Sequence, residues 1–298
     1  MSLLLHHPGR VVLLLLLLVF FACRGDPTGD TYDTSVCGPR VSATCGAVIV
    51  HYPFYLSNAT KALPEYVNSS FCGYPGLEIL CNGSKAVLRL GNDDYFVSRI
   101  DYPGATVSLA DADVVGSSCP RVSHNVTIPQ RWSLRLANTV GNLLFFFSCA
   151  FGASTHDGAA PKPLTCRSFD KGQGSRSSFL LPPADVPYGE WSRECEAIFS
   201  VPVLGDSLPV NPNDPAWTNG GYAEPLSKGF QVSWERSSGS GRCGRCEQTS
   251  GNCGFNQDGQ FLGCFCANGL MDSDGCSKIS DSTLRLAGKP LIILIKSL

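Results

Sequence analysis

The stretch CGAVIVHYPFYLSNATKALPEYVNSSFCGYPGLEILC, residues 45–81, decides the fold of the N-terminal half of the chain. It contains three cysteines, two Asn-x-Ser/Thr sequons and six Phe or Tyr rings. An alternating apolar segment leads into Tyr52-Pro53-Phe54, and a second apolar run leads from Leu77 to Cys81. Such segments, bounded by Gly and Pro, are typical of antiparallel strands. The stretch therefore predicts a disulfide-bonded, glycosylated β-hairpin region with aromatic rings at its surface.

Short segments of the same kind recur on both sides of a linker, and they predict a mainly β fold made of small antiparallel, disulfide-rich modules in tandem. The linker, Ala153–Cys166, is rich in small residues and proline, so we place the boundary between a module at 26–155 and one at 156–280. In the second module we expect a short helix at Tyr188–Cys195 and a Pro/Asn/Gly-rich loop at Leu204–Lys228. The predicted strands are Ala47–Tyr55, Leu77–Cys81, Lys85–Leu90, Tyr95–Ile100, Thr106–Leu109, Asn125–Ile128, Leu143–Cys149, Ala197–Val203 and Phe230–Trp234.

The two ends of the chain have separate characters. Arg10 precedes a twelve-residue apolar run, Val11–Ala22, which is shorter than the roughly 20 residues of a membrane span. It predicts a signal peptide at residues 1–25 that is removed after Gly25. The tail at 281–298 ends in a short apolar run that also falls short of a membrane span. We therefore expect a secreted chain.

Cysteine content agrees with an oxidising compartment. Removal of the leader leaves an even number of cysteines, which favours seven disulfides. The alternative, a zinc site built from Cys243-x2-Cys246 and Cys264-x-Cys266, is disfavoured by the same leader and by four sequons. The predicted disulfide cysteines are Cys37, Cys45, Cys72, Cys81, Cys119, Cys149, Cys166, Cys195, Cys243, Cys246, Cys253, Cys264, Cys266 and Cys276. The predicted glycosylation sites are Asn58, Asn68, Asn82 and Asn125.

Six of these cysteines fall close together at the end of the chain. Their order is Cys243-x2-Cys246-x6-Cys253-x10-Cys264-x-Cys266-x9-Cys276. The last three have the spacing found in the C-terminal half of an epidermal-growth-factor-like module, whereas the opening pair is closer than usual and leaves the pairing open. The glycine pattern Gly239-x-Gly241-x-x-Gly244 runs into these cysteines, so we interpret it as a flexible loop and not as a dinucleotide site.

Sequence motifs for catalysis are lacking, and we predict neither an enzyme, nor a cofactor, nor a metal site. The chain has no Gly-x-Ser-x-Gly elbow, no His-Glu-x-x-His and no P-loop. Asp93-Asp94 and Asp111-x-Asp113 offer paired carboxylates for a hydrolase, but closely spaced acids are usually solvated turns. The net charge of −2 argues against a nucleic-acid partner.

Aromatic and basic residues of the first module are the candidates for ligand binding. Exposed rings suit the C–H faces of a sugar, and nearby Arg or Lys side chains suit its carboxylates. Because strand side chains alternate, Tyr55 should face solvent if Phe54 faces the core. The alternative is that most of these rings are core packing. The candidate ligand-binding residues are Tyr52, Tyr55, Tyr66, Tyr74, Lys85, Arg89 and Arg99.

Several of these motifs together resemble a known family. Cys45-Gly46, Tyr52-Pro53-Phe54 and CGYPGLEILC at residues 72–81 resemble the galacturonan-binding domain of plant wall-associated receptor kinases. GFQVSW at residues 229–234 and SGNCG at residues 250–254 are similar to the cysteine-rich C-terminal module of leaf-rust-resistance type receptor-like kinases. In that family the ectodomain lies outside the cell, contacts pectin and is joined by a membrane helix to a kinase. The resemblance covers the ectodomain alone.

The resemblance implies an apoplastic, galacturonan-binding ectodomain without a kinase domain, whose partners are acidic cell-wall polysaccharide and, as a further expectation, membrane-bound receptor-like kinases. The rival hypothesis is a secreted protein-interaction module, a decoy or co-receptor in plant defence. In that case Leu204–Lys228 and the cysteine-rich tail would make the contacts, and the tyrosines would not.

Overall fold

The computed structural model is built almost entirely from short strands. It describes residues 34–57, 72–129, 134–150, 162–165, 176–183, 194–208, 211, 214–235, 239–256 and 258–276. The strands are β1 Ser42–Cys45, β2 Val48–His51, β3 Tyr55–Leu56, β4 Glu78–Asn82, β5 Lys85–Leu90, β6 Asp93–Asp101, β7 Thr106–Asp111, β8 Leu134–Leu136, β9 Val140–Cys149, β10 Ser177–Leu181, β11 Ala197–Leu204, β12 Phe230–Trp234, β13 Asn252–Phe255, β14 Phe261–Phe265 and β15 Met271–Asp272. The α-helices are α1 Thr34–Cys37, α2 Ala223–Lys228 and α3 Gly241–Gln248. None of these helices has the length and apolar character needed to cross a bilayer.

The largest sheet has seven strands in the order β3-β4-β5-β6-β7-β12-β8. Strands β4 to β7 form a meander of antiparallel neighbours, as the alternating pattern of the first half predicts. One face of the sheet is a buried core that includes Leu88, Tyr95, Leu109 and Val232. The predicted mainly β, disulfide-rich fold is therefore confirmed.

The second half of the chain completes this sheet. Strand β12 pairs with β7 on one side and with β8 on the other, and it adds Phe230, Val232 and Trp234 to the core. The backbone of Gly229, directly before β12, lies very close to the backbone of β7. A Cβ atom at Gly229 would be 1.8 Å from the Leu109 carbonyl oxygen. The boundary that we place near residue 155 therefore does not separate two sheets.

A smaller sheet, β10-β9-β11, carries a second core with part of the segment predicted as a loop at Leu204–Lys228. That prediction is wrong for much of its length. The segment contains a 3-10 turn at Gly205–Ser207, a π-helical turn at Trp217–Gly221 and helix α2. Tyr222 and Leu226 are buried there, so apolar side chains spaced among prolines and glycines order the segment by packing.

Two predicted elements differ from the structure, and most of a third lies outside the described residues. The strand predicted at Asn125–Ile128 is wrong: the segment is irregular, and the Asn125 side chain, not its backbone, accepts a hydrogen bond from Ser200 N at 2.7 Å. Strand Ala47–Tyr55 is interrupted at Tyr52-Pro53, because proline has no N–H for a ladder. Most of the helix predicted at Tyr188–Cys195 lies outside the described residues.

The cysteine-rich end is a helix fastened to a three-stranded sheet, β13-β14-β15. The pairs are Cys243–Cys253, Cys246–Cys264 and Cys266–Cys276, which is the first-to-third, second-to-fourth and fifth-to-sixth order of an epidermal-growth-factor-like module. The flexible loop predicted at Gly239–Gly244 is wrong from Gly241 onward. Cys243 and Cys246 are one turn apart, so both face the sheet and hold the segment as a helix.

Disulfide bonds also cross-link the rest of the chain. The other pairs with both cysteines among the described residues are Cys37–Cys72, Cys45–Cys81 and Cys149–Cys195. Cys119 is disulfide-bonded as well, and Cys166 lies outside the described residues. The cysteines proposed as an alternative zinc site are thus paired with one another or with neighbours as disulfides.

Candidate functional site

A cleft of about 510 Å³ lies between the first module and the cysteine-rich end. This volume is within the usual range of small-ligand sites. It is lined by Pro39, His51, Tyr52, Pro53, Tyr74, Tyr102, Trp234, Glu247, Ser250, Gly251 and Asn252. Four of these residues are Tyr or Trp, and Glu247 is the only carboxylate among the lining residues.

Glu247 joins the two halves of the cleft. It projects from α3, and its Oε1 accepts hydrogen bonds from the hydroxyls of Tyr52 at 2.5 Å and Tyr74 at 2.6 Å. The two tyrosine rings meet edge to face with their centroids 5.7 Å apart. Tyr52 also accepts a hydrogen bond from Cys253 N at 3.4 Å. The carboxylate therefore fixes the position of both rings against the cysteine-rich end.

The motifs of residues 45–81 explain how Tyr52 and Tyr74 come together. Pro53 follows a cis peptide bond, and its carbonyl accepts a hydrogen bond from Tyr74 N at 3.1 Å. A Cβ atom at Gly73 would lie 2.2 Å from the same carbonyl oxygen, so only glycine allows this approach. The Tyr-Pro-Phe and Cys-Gly-Tyr-Pro segments thus form one unit.

The back wall of the cleft is a stacked group of rings. His51 and Tyr102 stack with their centroids 3.4 Å apart, and Trp234 meets Tyr102 at 6.0 Å. The Tyr102 hydroxyl accepts a hydrogen bond from His51 N at 2.8 Å and lies 3.1 Å from the Ile49 carbonyl, to which it donates. Because its polar group is used by the backbone, Tyr102 presents mainly ring surface.

The predicted ligand-binding tyrosines do not form one surface. Tyr52 and Tyr74 both line the cleft, Tyr74 with only 6% of its surface exposed. The expectation that Tyr55 faces solvent is wrong: it is 5% exposed, because it packs against the Cys37–Cys72 disulfide and Phe265. Tyr66 lies outside the described residues.

The basic candidates lie on the face of the seven-stranded sheet opposite its main core. Val87 is directly opposite Phe96, so Lys85 and Arg89 share a face with that ring. A bulge between Val97 and Arg99 brings Arg99 to this face as well, because it pairs with Ser108 two residues from the partner of Phe96. The structure therefore brings Lys85, Arg89 and Arg99 to one surface, away from the core side of the sheet.

These three cations are not equivalent. Arg89 donates to both carboxylate oxygens of Asp94, at 2.7 and 3.2 Å, and this ion pair holds the pKa of Asp94 below its usual value. Lys85 lies over the half-buried Phe96 ring, with Nζ 4.6 Å from the centroid. Neither Lys85 nor Arg99 forms an ion pair with any residue that the structure describes. They are the cations best placed to accept a new carboxylate.

Two of the four predicted glycosylation sites can be located. Asn82 is exposed as the last residue of β4, next to the hairpin turn, and Asn125 is exposed in the irregular segment beside β11. Asn58 and Asn68 lie outside the described residues. Glycosylation at all four remains a prediction.

Side chains that could bind a metal ion cluster in two kinds of group, one built mainly from cysteines and one from Asp and His. The cysteine groups near Glu247 and Cys276 are disulfide-bonded, so their sulfurs are not available as thiolates. Asp111, Asp113 and His124 form a separate group, whose ligand atoms lie within 4.8 Å of one another. None of these three residues lines the cleft, and the sequence points to the two acids but not to His124.

Sequence reasoning misses much of the cleft. Glu247 sits between cysteines and has no neighbouring signal, and Trp234 has the character of a structural anchor. The wall contributed by His51 and Tyr102 depends on the contact between the ends of β2 and β6, which no local pattern specifies. The one usable signal is the Tyr-Pro-Phe and Cys-Gly-Tyr-Pro pair, which marks half of the site.

Buried tyrosines predict an abnormal alkaline titration. Burial raises the pKa of Tyr102 to about 12, and it raises the pKa of Tyr52 and Tyr55 further above the ordinary 10. A folded-state pKa above the unfolded value stabilises the native state below pH 10 and loses that contribution as the pH rises through about 12. We expect these phenols to ionise only when the protein unfolds. Phenolate absorbance measures the ionisation, and circular dichroism measures the unfolding. Full ionisation near pH 10 with unchanged circular dichroism would contradict this.

Comparison with known proteins agrees with the two halves of this architecture. Residues 37–111 match the family model described as wall-associated receptor kinase galacturonan-binding, and residues 165–269 match the wall-associated receptor kinase C-terminal model. No solved structure matches the chain. The cleft takes Tyr52, Tyr74 and Tyr102 from the first matched region and Trp234, Glu247 and Asn252 from the second.

Receptor-like kinases of Arabidopsis thaliana are similar to the chain over most of its length. Leaf rust 10 disease-resistance locus receptor-like protein kinase-like 1.2 is 28% identical over 86% of this chain, and kinase-like 2.8 is 26% identical over 78%. The chain spans only 36% and 22% of those two proteins. Neither matched family model describes a catalytic domain. The chain therefore belongs to the wall-associated receptor kinase type of ectodomain, with a galacturonan-binding domain followed by the C-terminal cysteine-rich domain.

Proposed function

We propose that the chain is an extracellular pectin-binding ectodomain unit whose cleft at Tyr52, Tyr74 and Glu247 holds sugar rings of the polymer. The observation that supports this most is the cleft itself: an aromatic concavity with a few convergent polar groups, placed between the two matched regions. Ectodomains of receptor-like kinases lie outside the cell, where wall polysaccharide is the available ligand.

The chemistry of the cleft suits the hydroxyls and C–H faces of a sugar. Tyr102 and Tyr52 offer ring surface for the C–H faces. The hydrogen bonds from Tyr52 and Tyr74 both use Glu247 Oε1, which leaves Oε2 as an acceptor for a sugar hydroxyl. Ser250, at the exposed rim, adds a hydroxyl that both donates and accepts. Together these groups recognise a neutral ring.

A free galacturonate carboxylate fits the outer surface better than the cleft. Glu247 would repel a second carboxylate inside the cleft. Lys85 and Arg99, on the outer face of the seven-stranded sheet, attract one. We therefore assign ring recognition to the cleft and polymer charge recognition to the Lys85 and Arg99 surface.

Binding of the mature protein to three polymers tests this proposal. De-esterified polygalacturonate, methyl-esterified pectin and a neutral glucan are compared at low salt and at about 0.5 M salt, where exposed charges are screened. We expect both pectins to be retained over the glucan, with salt weakening only the de-esterified polymer. Lys85→Gln and Arg99→Gln should each weaken that polymer about 10-fold, the value of one charge-assisted hydrogen bond.

Arg89→Gln is the matched control on the same face. Its guanidinium is already paired with Asp94, so its loss should change binding by less than about 3-fold, in the range of exposed ion pairs. Equal effects of Arg89→Gln and Arg99→Gln would contradict the assignment of polymer charge recognition to Lys85 and Arg99. Absence of retention on all three polymers would reject pectin binding and favour the protein-interaction rival.

A further inference from the structure

A partly buried group of acidic residues around His124 lies outside the cleft. Asp93 begins β6, Asp111 ends β7, Asp113 lies in the following turn, and His124 comes from the irregular segment that crosses above them. His124 Nε2 is 3.2 Å from Asp111 Oδ2, and His124 Nδ1 is 3.5 Å from Asp93 Oδ2. The fold thus gathers three carboxylates around one imidazole.

The sequence suggests a solvated turn, but within this group only Asp113 is exposed. Asp111 is 7% exposed, and one of its oxygens accepts a hydrogen bond from Asp113 N at 2.9 Å. No Lys or Arg among the described residues forms an ion pair with Asp93, Asp111 or Asp113. A buried carboxylate without a cation is costly, so the group is short of positive charge.

Tyr95 supplies a second, independent sign that a ligand belongs here. It is 0% exposed, its strand position is directly opposite Asp111, and its hydroxyl has no hydrogen-bond partner among the described residues. Its ring meets His124 edge to face at 6.5 Å, on the same side as the carboxylates. Buried hydroxyls are nearly always satisfied by protein or by ordered solvent.

The imidazole geometry narrows the identity of the ligand. His124 Nδ1 lies 3.4 Å from the Asn125 carbonyl oxygen and 3.5 Å from Asp93 Oδ2, and Nε2 lies 3.2 Å from Asp111 Oδ2. Both ring nitrogens therefore face oxygen atoms, and a metal ion between Nε2 and the Asp111 carboxylate would bond to one nitrogen and one oxygen ligand.

We propose that Asp111, Asp113 and His124 bind a divalent transition-metal ion, Zn²⁺ or Mn²⁺. Metal bonds of about 2.0–2.2 Å place neighbouring ligand atoms roughly 3.0–3.5 Å apart, which matches the separation between His124 Nε2 and Asp111 Oδ2. All three ligand atoms lie within 4.8 Å of one another, so small side-chain movements enclose an ion.

The remaining residues fit supporting roles. Asp93 Oδ2 lies 3.5 Å from His124 Nδ1, and a carboxylate beside the second ring nitrogen is the arrangement that orients a histidine ligand and raises its basicity. The Tyr95 hydroxyl donates to Asp111 or to a metal-bound water, and this satisfies its missing hydrogen bond. An imidazole in the ligand set selects transition metals over Ca²⁺, which takes six to eight oxygen ligands.

Metal titration of the mature, disulfide-bonded protein tests the site. After removal of metals with a chelator, Zn²⁺, Mn²⁺ and Ca²⁺ are added in turn and followed by calorimetry and by the shift in Tm. We expect one Zn²⁺ or Mn²⁺ per chain with a raised Tm, and no comparable binding of Ca²⁺. His124→Gln, Asp111→Asn and Asp93→Asn should each weaken binding at least about 10-fold.

Asp94→Asn is the matched control. It removes a neighbouring carboxylate that is exposed and paired with Arg89, so affinity should not change. Because His124→Gln or Asp111→Asn could fail to fold, Mn²⁺ broadening of the His124 ring resonances relative to those of His51 gives a readout in the wild-type protein. No saturable binding of Zn²⁺ or Mn²⁺, binding of Ca²⁺ alone, or equal broadening of both histidines would overturn the proposal.

Discussion

A fragment comprising residues 26–155 is expected to remain unfolded, although it contains the whole galacturonan-binding region. It lacks β12, which lies between β7 and β8 in the large sheet. Its loss removes Phe230, Val232 and Trp234, which are buried in the core of the sheet. Removing one buried aromatic side chain costs about 3–5 kcal/mol. Two such losses equal much of the roughly 5–15 kcal/mol that stabilises a typical domain.

The loss of β12 also leaves backbone groups without partners. Strand β8 pairs only with β12 among the described strands, and β9 loses both β10 and β11 in the same fragment. Exposed edges of this kind favour aggregation over folding.

Circular dichroism and thermal unfolding of the fragment provide the measurement. The control is residues 26–280, which retain every described strand and should unfold in one cooperative transition with the Tm of the mature chain. A cooperative transition of the 26–155 fragment at a similar Tm would show that the first module folds alone and that β12 is only an addition to it.

Replacement of Glu247 by Ala is expected to have the second large effect, on stability and on ligand binding together. The carboxylate accepts from both Tyr52 and Tyr74, and the loss leaves two donors in a largely buried place. An unsatisfied buried donor costs about 1–3 kcal/mol, so we expect a loss of roughly 2–4 kcal/mol in the free energy of unfolding. Binding of methyl-esterified pectin should fall as well, because the cleft loses both its acceptor and its fixed rings.

Glu247→Gln separates charge from hydrogen bonding. The amide oxygen still accepts from the tyrosines, so most of the stability should remain. With the negative charge gone, binding of de-esterified polygalacturonate should increase while binding of the methyl-esterified polymer stays within about 3-fold. Equal changes for both polymers would indicate that Glu247 acts only through structure.

A double-mutant cycle with Tyr74→Phe gives the control for the stability effect. If the pair is coupled as the 2.6 Å contact indicates, Glu247→Ala should cost less in the Tyr74→Phe background than in the wild type. If the two losses of unfolding free energy are additive, the stabilising effect of Glu247 does not come from its contact with Tyr74 and lies elsewhere, for example in helix α3.

Local features of the fold are predicted well by the sequence. Strands β5 and β12 have the predicted bounds, because alternation and β-branched residues are properties of the segment itself. The failures share a cause. Tyr55 is buried by the cysteine-rich end, and Leu204–Lys228 is ordered by a core to which it contributes only a few side chains. Contacts with distant residues overrode local preference in both places.

The candidate sites show the same division. Tyr52 and Tyr74 are indicated by proline and glycine motifs, whereas Glu247 enters the cleft only because two disulfides hold α3 against the sheet. Arg99 reaches the outer face through a bulge that alternation alone would not predict. His124 meets Asp111 because an irregular segment crosses the end of the sheet.

The sequence by itself determined the β class, the oxidised cysteines and the resemblance to a wall-associated receptor kinase ectodomain, because composition, spacing and motifs are local quantities. Only the tertiary structure decided which strand completes the large sheet, which rings form a cleft and which acids surround His124. The physical reason is that strand pairing and side-chain burial depend on segments more than a hundred residues apart, such as β7 and β12.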